Sequence, residues 1–273
     1  MTGKLNVLRI LHSLGCVAVV LTVVLCGCGK PKPDPDAEAC WKLASAQADL
    51  GAGVDYGKSG KDADANAGGE KTGAALKKAA SRNPDKAEAH YEMGYAYNHR
   101  GLYPEALAAF KKAVAVKPDH AEAHCGMGFT YIMLDRDADA VAALKKAVSL
   151  NPDDADAYYG MGRAYNHLGQ YADAVAAFKK AVAVNPDAAA AYNDMAFAHI
   201  RLKQYAKAVT ACEKAIAIKP DFAEAHLSMG GAYRDLGKNA EALATYKKYI
   251  DIEPTGKMAD LARRLIREIS NRN

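Results

Sequence analysis

Apolar and polar positions alternate along most of this chain with the spacing of α-helices, and the helical segments come in pairs. The last segment is the plainest. Met258, Leu261, Ala262, Leu265, Ile266 and Ile269 fall on one stripe, while Arg263, Arg264, Arg267 and Glu268 lie off it. Residues 257–273 are therefore predicted to form an amphipathic helix with one covered and one wet face. Upstream the pattern recurs with a fixed period. Pro84, Pro118, Pro152, Pro186, Pro220 and Pro254 stand 34 residues apart, as do Ala106, Ala140, Ala174, Ala208 and Ala242. Further columns are Met93, Met127, Met161, Met195, Met229, then Gly94, Gly128, Gly162, Ala196, Gly230, then Tyr97, Tyr131, Tyr165, His199, Tyr233. A period of this length marks a supersecondary unit stacked on copies of itself.

One unit can be read residue by residue. In Asn83–Pro84–Asp85 the proline has no N–H to donate and disfavours helix at the residue before it, so a helix ends there. Asp85 is predicted to cap the next helix, with Glu88 three positions on completing a capping box. Asp119, Asp153, Asp187 and Asp221 repeat the cap, with Glu122, Asp156 and Glu224 as partners; Ala190 breaks the pattern. Small residues at Gly94 and Ala106 let the two helices of a pair touch, and Tyr97, Tyr103 and Phe110 supply bulk around them. Gly101, Gly169 and Gly237 make the turn within a pair. Asp135 and Lys203 take that place in the second and fourth units, so a different turn is expected there.

These columns resemble the tetratricopeptide repeat, a helix–turn–helix unit with small residues where its helices cross. The resemblance covers five full repeats, 87–120, 121–154, 155–188, 189–222 and 223–256. It implies an all-α fold, a right-handed α-solenoid of tetratricopeptide helix–turn–helix repeats, because one unit alone cannot bury its apolar face. Residues 71–86 then form a degenerate half repeat, since Leu76, Lys77, Lys78 and Ala79 are in register with Phe110, Lys111, Lys112 and Ala113. Residues 257–273 become the capping helix at the other end.

The resemblance also implies that the first helix of each repeat lines a concave surface that binds peptides or proteins. Here that surface carries three lines: Tyr91, Cys125, Tyr159, Asn193, Leu227; Tyr95, Phe129, Arg163, Phe197, Gly231; and Asn98, Ile132, Asn166, Ile200, Arg234. Family members that clamp acidic C-termini need lysines and asparagines in the first two lines, which here hold aromatics, one Cys, one Leu, one Gly, a single Asn and a single Arg. The groove instead suits an extended or helical apolar segment, with Tyr95, Phe129, Tyr159 and Phe197 as anchors. The candidate binding set is Tyr91, Tyr95, Asn98, Phe129, Ile132, Tyr159, Arg163, Asn166, Phe197 and Ile200. Its members alternate over two repeats: Tyr91, Asn98 and His99 return as Tyr159, Asn166 and His167, while Phe129 and Ile132 return as Phe197 and Ile200.

The start of the chain follows another logic. Lys4 and Arg9 precede an apolar run from Ile10 to Leu25, interrupted early by His12 and Ser13. As a helix this run would reach about 24 Å, short of the ~30 Å hydrocarbon core of a bilayer. A basic start and a short apolar run have the layout of a secretory leader. Leu25–Cys26–Gly27–Cys28 resembles the lipobox of bacterial lipoproteins, with Cys26 where a small aliphatic or hydroxyl residue is usual. That resemblance implies a leader over 1–27, lipidation at Cys28 and, with Gly29 rather than aspartate following, an outer-membrane lipoprotein facing the periplasm. An uncleaved N-terminal helix in the inner membrane is the alternative. Residues 28–70 read as a spacer and flexible loop with stretches rich in Pro, Asp and Gly.

Composition then removes whole classes of function. Alanine supplies 57 of the 273 residues, which explains how half the chain is hydrophobic while only 8% is aromatic. Alanine is a poor strand former, so a β-rich fold is excluded. The formal net charge of +4 includes Lys4 and Arg9, and loss of a leader leaves little to steer the chain to nucleic acid. The Lys111–Lys112, Lys145–Lys146, Lys179–Lys180 and Lys247–Lys248 pairs read as a solvated outer face, and no nucleic-acid partner is expected. Six cysteines are too few for a disulfide scaffold, and Cys125 and Cys212, in different columns, are not expected to pair.

Candidate chemistry is sparse. Ala52 to Ser59 loosely fits a phosphate-binding loop but lacks the strand before it and the helix after it. Asp62 to Asn66 begins like a calcium loop, yet Ala67 and Gly73 stand where a glycine and a bidentate glutamate are needed. His90, His124 and His226 share a column with Tyr158 and Tyr192, a packing position rather than a metal site. No catalytic, cofactor or metal site is expected. The resulting expectation is a non-enzymatic, lipid-anchored scaffold for envelope proteins. Self-assembly into a homo-oligomeric component of an envelope, pilus or secretion assembly is the alternative, and a nucleotide-binding enzyme resting on Lys58 a remote one.

Overall fold

The computed structural model describes residues 86–271, and every regular element among them is an α-helix. The helices are α1 (Ala87–His99), α2 (Tyr103–Val116), α3 (Ala121–Met133), α4 (Asp137–Leu150), α5 (Ala155–His167), α6 (Tyr171–Val184), α7 (Ala189–Arg201), α8 (Tyr205–Ile218), α9 (Ala223–Asp235), α10 (Asn239–Ile252) and α11 (Lys257–Ser270). Each packs on the next in sequence, and first helices also touch first helices, α1 to α3, α3 to α5, α5 to α7 and α7 to α9. The second helices make no comparable contact with one another. The first helices are thus the crowded inner layer and the second helices the splayed outer layer of a right-handed α-solenoid. Residues 1–85, with the leader, Cys28, the spacer and nearly all of the half repeat, lie outside the described residues.

The columns explain the packing. A Cβ placed on Gly94 would lie 2.7 Å from the Phe110 ring, one on Gly128 2.3 Å from Leu144, one on Gly162 2.5 Å from Phe178 and one on Gly230 2.6 Å from Tyr246. Each pair closes by seating a large side chain of the second helix on the bare backbone of the first. Phe110, Leu144, Phe178 and Tyr246 are consequently almost wholly buried, and Ala106, Ala140, Ala174, Ala208 and Ala242 show no exposure at all. Burial of this apolar surface is the main favourable term in each unit.

The turn within a pair is the same in all five repeats. Leu102, Arg136, Gln170, Gln204 and Lys238 each donate a backbone N–H to the carbonyl five residues back, at 2.8–3.0 Å, across a residue with positive φ. This is the Schellman arrangement. Gly101, Gly169 and Gly237 adopt φ of 69°, 73° and 74°, while Asp135 and Lys203 adopt 55° and 58°. The expected difference in turns two and four is therefore absent. The helix-end hydrogen bonds outweigh the roughly 1–2 kcal/mol cost of a left-handed side-chain-bearing residue.

The caps also differ from expectation. The first helices begin one residue later than the aspartates require, with Lys86, His120, Asp154, Ala188 and Phe222 at the N-cap positions. Among these only Asp154 caps, accepting the Ala157 N–H at 2.9 Å. Asp119, Asp153, Asp187 and Asp221 follow proline in a β-turn instead, closed by bonds such as His120 N–H to the Lys117 carbonyl at 3.1 Å. The Asp153 and Asp187 N–H groups donate to the side chains of Asn151 and Asn185, both at 3.2 Å, so asparagine before proline holds the turn. The histidine column reinforces it: His124 and His226 Nε2 each sit 3.0 Å from a proline carbonyl, of Pro118 and Pro220.

Helix α11 lays Ala259, Ala262 and Ile269 on α10, beside Tyr246 and Tyr249, and leaves Met258 53% exposed. Among the described residues no helix is long and apolar enough to cross a membrane.

Candidate functional site

The inner face presents the three predicted lines, but not all of their members face outward. Tyr95 and Phe197 do, at 40% and 42% exposure. Phe129 and Ile132 do not: at 8% and 3% they belong to the core around Leu144. The cause lies one repeat away. The Phe129 ring packs where Gly160 has no side chain, within 3.2 Å of a Cβ placed there. The position facing Phe197 in the next repeat is Ser228, and Phe197 stays out, edge-on to Tyr171 at 6.3 Å with the Arg201 guanidinium 5.8 Å from its ring.

The remaining candidates fall into two groups along the groove. At the N-terminal end Tyr91 is half-buried, its ring 6.4 Å from Tyr95, 5.9 Å from Phe110 and 5.2 Å from the imidazole of His120. His120 itself is buried, with Nε2 3.3 Å from Glu88 and Nδ1 3.0 Å from Glu122. Tyr95 stacks edge-on against His99 at 4.4 Å. Burial, then the negative charge of Glu92, pushes the Tyr91 hydroxyl up, and burial with Glu88 pushes the Glu92 carboxyl up.

In the middle, three repeats are tied by polar side chains. The Tyr159 hydroxyl donates to Asp194 Oδ2 at 3.0 Å, Asn193 Nδ2 approaches Asp194 Oδ1 at 3.4 Å, and the Ser228 hydroxyl donates to Asn193 Oδ1 at 3.2 Å. Arg163 lies 6.0 Å from the Tyr159 ring. Burial raises the Asp194 carboxyl, and the Tyr159 hydroxyl and the Arg163 charge partly offset it. Asn166 donates to the Asp194 carbonyl at 3.2 Å, while its buried Oδ1 finds no donor among the described residues. Its counterpart Asn98 has one: the Thr130 hydroxyl, 3.1 Å away and shared with the Gly126 carbonyl. Thr130 corresponds to Ala198 two repeats on. Ile200 is half-buried against the core of the third and fourth repeats.

Asp194 is the residue that reading the lines missed. It stands in the column Glu92, Gly126, Gly160, Asp194, Ser228, where a charge replaces the glycine that admits Phe110 and Phe129 elsewhere. That break in the column was the signal.

Both cysteines among the described residues are buried away from solvent. Cys125 is buried, and burial with the charges of Asp154 and Asp156 holds its thiol well above the usual range. Cys212 is fully buried and pushed up to about 12 by burial and Glu213. Both are free thiols. Among the described residues no three His, Cys, Asp or Glu side chains cluster as metal ligands would.

Comparison with known proteins agrees with this geometry. Family models described as tetratricopeptide repeat match residues 155–188 and 199–265, and one described as TPR repeat matches 94–135 and 136–168. A crystal structure of MamA is similar at 33% identity, covering 59% of this chain and 94% of that one with a TM-score of 0.56. MamA from residue 41 onward, from Desulfovibrio magneticus RS-1, is 25% identical over 62% of this chain and 96% of that one, with a TM-score of 0.58. The pilF protein of Pseudomonas aeruginosa shares the fold at 15% identity, covering 88% of this chain and all of that one with a TM-score of 0.65. No match is found among curated proteins.

Proposed function

Because this chain belongs to the tetratricopeptide repeat family, whose fold serves protein–protein interaction, we propose that it is a non-enzymatic scaffold, lipid-anchored at Cys28, that holds envelope proteins in its concave groove. The observation that carries the reading is the exposure of Tyr95 and Phe197 on an inner face where Tyr91 and Tyr159 are only half-buried and Phe129 is buried. Exposed aromatics fixed on rigid helices are the side chains from which interfaces draw most of their affinity.

The groove also narrows the partner. Glu88, Glu122, Asp156 and Glu224 stand on the exposed first turns of four of the five first helices, with Ala190 in the fourth repeat's place. With Tyr95, Tyr159 and Phe197 beside them, they suit a segment that carries apolar side chains together with lysine or arginine. Such a segment would meet aromatic pockets and carboxylates at once. The Leu25–Cys28 stretch and the charged, proline-rich spacer after it support tethering to the outer membrane, facing the periplasm.

A photoreactive side chain in place of Phe197 in the full-length protein tests the groove in living cells. Capture of an envelope protein, lost in Tyr95→Ala/Phe197→Ala with the fold intact, is expected; unchanged capture in that variant refutes the assignment. Capture of a second copy of this chain would instead favour the self-assembling alternative. Labelling with a radioactive fatty acid, present in the wild type and missing in Cys28→Ser, tests the anchor.

A further inference from the structure

A pocket of about 230 Å3 opens between the outer helices α6 and α8, with α7 as its floor. Its polar lining is Lys179 from α6, Lys207, Thr210 and Lys214 from α8, and His199 from α7. Three of these five residues break the 34-residue pattern, all toward the same chemistry. Lys207 stands where the other repeats carry Glu105, Asp139, Asp173 and Glu241. Thr210 stands where they carry alanine, and His199 where they carry tyrosine.

The effect is visible beside the third repeat. There the Tyr165 ring occupies the corresponding place with Lys145 Nζ 5.9 Å from its centroid, and Asp173 provides negative charge at the position of Lys207. In the fourth repeat the smaller imidazole of His199 leaves room, and the acid has become a base. His199 is 5% exposed and its Nδ1 lies 2.9 Å from Gln204 Oε1. That oxygen can only accept, so Nδ1 carries the hydrogen, and Nε2 has no hydrogen-bond partner among the described residues. Lys214 Nζ rests 5.4 Å from the Tyr192 ring. Among the described residues no carboxylate pairs with Lys179, Lys207 or Lys214.

Three lysines with no carboxylate partner among the described residues, a hydroxyl and a buried imidazole thus line one opening. We propose that this pocket is an anion site that takes a phosphoryl dianion, as free phosphate or a phosphomonoester. Lysine binds phosphate as a point charge, and the Thr210 hydroxyl, held only by a 3.3 Å bond to the Ala206 carbonyl, turns to donate. The volume exceeds the ~30 Å3 share of one water several-fold, enough for a phosphoryl group with the first atoms of its ester. A dianion offsets most of the local charge, whereas a single carboxylate offsets a third of it. The site lies on the outer layer, away from the groove, and its occupation does not depend on a groove partner. His199 reports on it: burial first, then the charges of Lys207 and Lys179, hold the imidazole below its ordinary value, and the Gln204 hydrogen bond opposes them. An anion that neutralises the two lysines moves it back up.

The test is titration of the full chain with inorganic phosphate and, separately, O-phosphoserine at constant ionic strength, followed by amide and imidazole nuclear magnetic resonance. Saturable shifts at Lys179, His199, Lys207 and Thr210 are expected, with an upward move of the His199 titration midpoint. Lys207→Asp, which restores the residue of the third repeat at an exposed position, should bind about tenfold or more weakly while melting as the wild type does. Thr210→Ala provides a second such restoration. Tighter binding of phosphoserine identifies an esterified ligand; equal or tighter binding of phosphate identifies the free ion. Shifts that fail to saturate with both probes, or equal affinity in Lys207→Asp, overturn the proposal.

Discussion

Ala196 and Cys212 are both completely buried in the fourth repeat, at the positions where the third sets Gly162 against Phe178. The other repeats set glycine against Phe110, Leu144 or Tyr246, each close enough to exclude a Cβ. A methyl group on the first helix is thus matched by a smaller side chain on the second. The side chain that a Cβ on the first helix would strike is absent here, so the crossing closes on two small residues instead of on a glycine and a bulky partner.

The two positions should therefore be coupled. Gly162→Ala alone is expected to cost about 2 kcal/mol through overpacking, and Phe178→Cys alone about 3 kcal/mol through lost burial. The double variant should be more stable than the sum predicts, by about 1 kcal/mol or more. A urea-unfolding double-mutant cycle measures this, and strict additivity would contradict the steric coupling of the two positions.

The orphan Asn166 Oδ1 can be given a donor. Ala198→Thr places a hydroxyl where Thr130 serves Asn98, and should raise stability by about 1 kcal/mol. Thermal or urea unfolding reads the change; a loss of stability would mean that the site around Ala198 cannot hold the extra atoms.

Lys203 sits at φ 58° in a turn that glycine makes elsewhere. Lys203→Gly relieves that strain against a smaller loss of unfolded-state restriction, for a net gain of about 0.5 kcal/mol. Gly169→Val should cost more than that gain, and similar stability of both variants would sink the argument.

Phe129 and Phe197 look alike in the sequence and should behave oppositely. Phe129→Ala is expected to cost about 3 kcal/mol of stability, as a core truncation does, and Phe197→Ala under about 1 kcal/mol while weakening partner capture. Equal destabilisation by the two substitutions would place both rings in the core.

Asp194 gives the domain a pH dependence of defined sign. Its folded carboxyl holds a proton more tightly than the unfolded one, because burial outweighs the Tyr159 hydrogen bond and the Arg163 charge. Its contribution is therefore fully present below the unfolded value of about 3.9 and is lost as pH rises through the folded value. Asp194→Asn removes that loss. The variant should melt above the wild type at neutral pH, and the gap should narrow as pH falls toward 4. A gap independent of pH would contradict it.

The sequence revealed the helix pairs because Pro84 to Pro254 and Gly94 to Gly230 record contacts within one unit and its nearest neighbour. It misplaced the caps by one residue, because an aspartate after proline serves a β-turn as well as a helix start. Asn151 and Asn185 decide in favour of the turn. Phe129 and Phe197 were indistinguishable because each is governed by a residue one repeat on, Gly160 or Ser228, rather than by its own column. The anion pocket was legible only in pieces. Lys207, Thr210 and His199 are far enough apart along the chain that their departures become one feature only when α7 and α8 are packed.

Every described helix rests on helices adjacent or nearly adjacent in sequence, and none waits for a partner from the far end of the chain. A polypeptide threading out of a narrow exit, N-terminus first, can consequently fold each unit onto the one already outside. The same geometry lets the solenoid yield from its tips inward under tension, so that α5 to α8, at its centre, would be the last part to come undone.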